Sequence, residues 1–346
     1  AAAGGVVSAA RGKGRRRPRV KEPPPRPLER APRTDLQARV EDLNASCFAA
    51  LDATAGQALR RVEGSSSLSE MQLDLTRAHL LRAMQSTHRS ICGLVSGGGE
   101  LDQSVDALPL TRVQMERCFL ALLLAEKPGR WHKRYRKNAW KAYAEKFFRD
   151  QRTVGHMEPY RAYFASDGEG VELLRQFAHE MDVSEDEFQT LRHQIVQDEP
   201  DPRWKQWYIP DMPTPGKTLR ELKDPAYRGL AELLYPYYDS LSHFSHGGLA
   251  GITAAAILRR DLPGKPPSQS DQHGFWYSGV MEQTLPLSYV AMLLTATLAH
   301  HALGEDADVR AALDAAWRPY HADGSALGVA VWDAWAGEVV AGRPGN

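Results

Sequence analysis

Cysteine is scarce in this chain: 346 residues contain three, Cys47, Cys92 and Cys118, with no Cys-x-x-Cys pair. An odd count without paired spacing excludes a disulfide scaffold and a cysteine zinc site. It fits a reduced, cytoplasmic protein with thiols on helices. Strand signals are nearly absent too, with no Asn-Gly hairpin turn and few alternating apolar runs, so a β architecture is excluded. Nucleotide loops are missing: there is no Walker-type Gly-x-x-x-x-Gly-Lys and no Gly-x-Gly-x-x-Gly, and Gly97-Gly98-Gly99 is not followed by Lys. No His-Glu-x-x-His, Glu-x-x-His repeat or Gly-x-Ser-x-Gly occurs. His243-x-x-His246 and the pair His300-His301 come nearest to a ligand set. The expectation is no metal and no cofactor.

A membrane-spanning run is also lacking. Gln283–Gly304 contains no Asp, Glu, Lys or Arg, but Pro286, Ser288, Thr295, Thr297, His300 and His301 interrupt it. A span needs about 20 mostly apolar residues, so a buried core helix is the better reading and a membrane partner is not expected. The first residues place charge and proline where a secretory signal has an apolar stretch, and Pro23-Pro24-Pro25 opposes a transit-peptide helix.

What is present is a charge asymmetry inside a net charge of zero. Residues 1–34 carry ten basic and two acidic residues, a net of +8, and the remainder carries −8. The arm has almost no large apolar residue and is expected to be disordered. From Thr34 onward the pattern is helical. Leu36, Val40, Leu43, Cys47, Phe48 and Leu51 recur at helical period. Thr34/Gln37, Ser67/Glu70 and Ser184/Glu187 have capping-box spacing, and Asp224-Pro225 opens a later helix. A third helix over 107–126 is apolar all round at Phe119–Leu124 and is expected to be central. Pro236 is expected to kink the helix that starts at Asp224. Residues 198–217 and 261–275 read as loops, and further helices are expected near 277–303, 306–319 and 326–340. The fold class is all-α: a single multi-helix bundle over 35–342 behind the basic N-terminal arm 1–34.

The chemistry-bearing residues gather in two stretches. Tyr238, Ser242 and His246 are spaced i, i+4, i+8 and share one helix face. Arg112 and Glu116 are spaced i, i+4 on the central helix. If the helices pack, the five form one polar cluster in an apolar bundle, where polar groups must find partners. His246 is then a general acid or base, and Arg112 an anion holder. A buried network that fixes helix register is the other reading.

Leu110-Thr-Arg112-Val-Gln-Met-Glu116 followed by Tyr238-x-x-Leu241-Ser242-x-x-x-His246-Gly247 resembles the bacterial all-helical family of unknown function numbered 5677. The resemblance covers roughly residues 70–305, and Pro236 and the 198–217 loop depart from the family pattern. It implies a helical fold and the same five-residue candidate site, and no reaction.

Two functions are weighed. The first is a binding or regulatory module with a buried polar pocket and basic surfaces. The second is a metal-independent RNase of the HEPN type, using His246 with Arg112, or Arg82 with His88, which fit the Arg-x(4–6)-His spacing. Nucleic acid is a candidate partner through the arm 1–34 and the aromatic, basic helix 130–152. These features do not exclude a protein partner or a small ligand.

Overall fold

The computed structural model describes residues 35–96, 106–165, 167–196, 207–245 and 269–322, and every regular element among them is a helix. The arm 1–34, the 97–99 glycines, His246 and the helix expected over 326–340 lie outside the described residues.

The chain runs α1 (Asp35–Gly64), α2 (Leu68–Ser96), α3 (Ala107–Glu126), α4 (Pro128–Val154), α5 (Arg161–Phe164), α6 (Glu169–Glu180), α7 (Glu185–Val196), α8 (Pro215–Glu221), α9 (Pro225–Ser245), α10 (Gln269–Leu303) and α11 (Ala307–Ala322). Local chemistry sets several of these boundaries. The Glu70 amide donates to Ser67 Oγ at 3.4 Å, capping α2. At α7 the capping box is reciprocal: the Glu187 amide donates to Ser184 Oγ at 3.2 Å, and the Ser184 amide to Glu187 Oε2 at 2.8 Å. Asp224 Oδ1 accepts the Ala226 amide at 2.9 Å, starting α9.

One loop boundary changes: residues 269–275 belong to α10 rather than to a loop. Helix α9 runs from Pro225 to Ser245 with Pro236 inside it, close to the extent expected. A proline forfeits one ladder bond, and the packing of α9 on α3 holds the helix together around that loss.

Helix α3 is the centre. Phe119, Ala121, Leu122, Leu123 and Leu124 are all buried, as expected for a stretch that is apolar all round. Helices α2, α9 and α10 pack around it, and α1 and α11 close over α10. Residues 284–299 of α10 are buried almost without interruption, Thr284, Ser288 and Thr295 included. Thr295 and Thr297 donate to the carbonyls of Ala291 and Leu293, so their hydroxyls are satisfied within the helix. No helix among the described residues is long and apolar enough to cross a membrane.

A second hydrophobic cluster lies along α4. Trp131 belongs to the main core, but Trp140, Ala144, Phe147 and Phe148 pack with Val171 and Leu174 of α6, Phe188 of α7 and Ile209. One continuous helix thus joins two apolar clusters within the region expected to be a single domain.

Candidate functional site

Helix α3 presents Arg112 and Glu116 one turn apart, with Nη2 3.2 Å from Oε1. Helix α9 packs alongside and inserts Tyr238 between them. The Tyr238 hydroxyl accepts from Arg112 Nη2 at 3.1 Å and donates to Glu116 Oε1 at 3.1 Å. The guanidinium also lies over the tyrosine ring, 5.4 Å from its centroid. Phe119 meets the same ring edge-on at 5.9 Å. Three of the five expected residues therefore form one contiguous cluster.

Ser242 does not join it. Its hydroxyl donates to the Tyr238 carbonyl at 3.0 Å, one turn back on its own helix. His246 lies outside the described residues.

The cluster forms part of the wall of a cavity of about 630 Å³. Leu80, Val113, Phe119, Leu120, Leu123 and Met212 supply its apolar surface. Thr76 and His79 of α2, Tyr135 of α4 and Thr218 of α8 add polar groups. The segment 212–214 closes one side. Buried Lys141 of α4 holds the approach to that segment, donating to Asp211 Oδ1 at 2.6 Å, the Ile209 carbonyl at 3.2 Å and the Tyr208 hydroxyl at 3.3 Å.

Arg117 also lines the cavity, and the reading of spacing alone had missed it. Its Nη1 donates to the Ala83 carbonyl at 3.0 Å and to Thr87 Oγ1 at 2.6 Å, both on α2. Burial pulls its pKa below the ordinary arginine value, with Tyr135 and Glu116 opposing. His79 was missed for a related reason: an exposed histidine on a long amphipathic helix carries no local signal of a cavity beside it.

The Arg82/His88 pair is not brought together. Six residues on a helix place two side chains about 120° apart around the axis. Arg82 is exposed while His88 is fully buried. His88 Nε2 lies 2.8 Å from Asn44 Oδ1, which accepts only, so this nitrogen carries the proton. Nδ1, 2.7 Å from Ser288 Oγ, then accepts. Tyr289 donates to the same Asn44 oxygen at 2.7 Å. The result is a satisfied internal network linking α1, α2 and α10, and burial pushes the imidazole pKa down to about 3.

The basic helix 130–152 spends most of its charge inside the chain. Arg130, Arg136, Lys137, Lys141, Lys146 and Arg149 pair with Glu221, Asp182, Glu187, Asp211, Asp150 and Glu145. Arg134 and Arg152 donate to the carbonyls of Asp211 and Ile195. The aromatic residues Trp131, Trp140, Phe147 and Phe148 are core. No group of three or more metal-ligating side chains occurs among the described residues.

No protein-family model, curated protein or solved structure matches the chain, so the site is read from its own geometry.

Proposed function

We propose that the chain is a ligand-binding helical module, and that the cavity beside Arg112, Glu116 and Tyr238 receives a small molecule with an apolar body and a polar end. One observation carries this reading: the Arg112–Tyr238–Glu116 cluster stands at the wall of a cavity instead of being sealed in the core, and Glu116 is 40 % exposed. A network that only fixed helix register would do so equally well when closed. The cavity volume falls within the range of about 300–1,000 Å³ common for ligand sites, and apolar walls with a few convergent polar groups are their usual chemistry. The same reading takes this arrangement as the site of the helical family that the motifs resemble. It assigns any nucleic-acid contact to the arm 1–34, because the cations of α4 are largely answered by the chain itself.

The test is a fragment screen by ligand-observed NMR on the full chain and on Leu120→Trp, which sets a larger side chain in the cavity wall. Fragments are expected to bind the wild type and to bind the variant more weakly while circular dichroism stays unchanged. Equal binding to both proteins places the site elsewhere and overturns the reading.

A further inference from the structure

The charges around the cavity do not cancel. Glu116 is answered by Arg112 at 3.2 Å and by the Tyr238 hydroxyl at 3.1 Å. That pair is neutral as a unit. Arg117 is the next residue on α3, but neighbours in a helix point about 100° apart, so it reaches α2 rather than Glu116. Its two acceptors, the Ala83 carbonyl and Thr87 Oγ1, are both uncharged, and both are reached through Nη1. No carboxylate forms an ion pair with Arg117 among the described residues, and Nη2 and Nε have no partner among them. Burial disfavours this guanidinium, as the lowered pKa records. A half-buried cation of this kind is usually matched by an anion, and a guanidinium edge with two free donors fits a carboxylate in two parallel hydrogen bonds.

We infer that Arg117 is the anion-binding group of this cavity, and that its ligand is an amphipathic organic monocarboxylate whose apolar body lies against Leu80, Val113 and Leu120. This rests on the ligand-binding reading above and names its ligand class. The charge argues for a monoanion. Among the described residues Arg117 has no ion-pair partner of its own, and Glu116 acts on it only through space, so a single negative charge answers it, whereas a phosphate dianion would bring excess charge beside Glu116 and apolar walls. The division of labour is also physical. Arg112 is held by Glu116 and Tyr238 and shapes the wall, and Arg117 keeps donors in reserve. Its Nη1 bonds to α2 fix the guanidinium plane in advance, which lowers the entropy lost on binding.

Octanoate and its neutral counterpart octanamide distinguish the possibilities by isothermal titration calorimetry on the full chain. Octanoate is expected to bind the wild type about 10- to 100-fold more tightly than octanamide, the range of a charge-assisted bidentate contact. Arg117→Gln is expected to abolish that preference by lowering octanoate affinity to the level of octanamide, and Arg117→Lys to restore part of it. Thr87 and the Ala83 carbonyl lie at a partly exposed site, so both variants are expected to fold, with thermal melts as the check. Equal affinity for the two probes in the wild type overturns the carboxylate assignment and leaves the cavity reading standing. A preference that survives in Arg117→Gln also overturns it, placing the anion on another cation. Binding of neither probe overturns the assignment, and the fragment screen then decides separately whether the cavity binds anything.

Discussion

The Tyr238 hydroxyl stands between the two members of an ion pair on another helix, accepting from Arg112 and donating to Glu116, each at 3.1 Å. It serves as donor and acceptor at once, so the phenol ties α9 to α3 through both charges. Tyr238→Phe keeps the ring beneath the guanidinium and removes only this relay. The expected loss is about 1 kcal/mol of folding stability in urea titration, modest because solvent reaches Glu116. A double-mutant cycle with Glu116→Gln is expected to show coupling of comparable size. Strict additivity would mean that the relay contributes nothing.

His88 makes the bundle acid-sensitive. Its folded-state pKa, about 3, lies below the ordinary histidine value of 6.5 because burial disfavours the charged ring. The groups facing it, Asn44, Cys92, Ser288 and Tyr289, offer no compensating anion. Folding therefore favours the neutral form. The contribution is complete above pH 6.5 and is lost as the pH falls toward 3. From pH 8 to pH 5 this amounts to about 2 kcal/mol. His132 shifts the same way, to about 4, through burial and then Arg136 and Arg77. Urea titrations at the two pH values are expected to show a fall in stability about 2 kcal/mol larger for the wild type than for His88→Gln. Equal falls would mean that the ring titrates normally in the folded protein.

The helices were legible because their signals are local. Ser184 and Glu187 cap each other three residues apart, and Phe119–Leu124 announces a stretch of helix that is almost entirely buried. The cluster was legible for the same reason, since i, i+4 spacing placed Arg112 with Glu116 and left Tyr238 needing partners. Three things were not legible. Arg117 takes its meaning from α2, across 30 and more residues of chain. His88 looked catalytic by spacing, yet its partners Asn44 and Ser288 are 44 and 200 residues away. The cavity wall at 212–214 depends on a tertiary anchor, buried Lys141 reaching the residues just before it, which no periodicity encodes.

That anchor supplies the last prediction. Lys141 is buried on α4, and its ammonium contacts three groups between Tyr208 and Asp211. It also lies 4.6 Å from the centroid of the Tyr208 ring. The neighbouring Asn138 amide donates to the Pro210 carbonyl at 2.7 Å, so α4 grips the segment at successive residues. Lys141→Met preserves most of the aliphatic stem and removes every donor. The Ile209 carbonyl then loses its charged partner, and a loss of about 1–3 kcal/mol is expected. The larger effect should be local. Amide exchange of residues 208–214, followed by mass spectrometry, is expected to accelerate while that of α3 and α10 stays protected. Because Met212 and Pro213 line the cavity, ligand affinity should fall in the same variant even though no lining residue has changed. Unaltered exchange over 208–214 would mean that the remaining bonds from Arg134 and Asn138 suffice to hold the wall, and that Lys141 contributes to the α4 core alone.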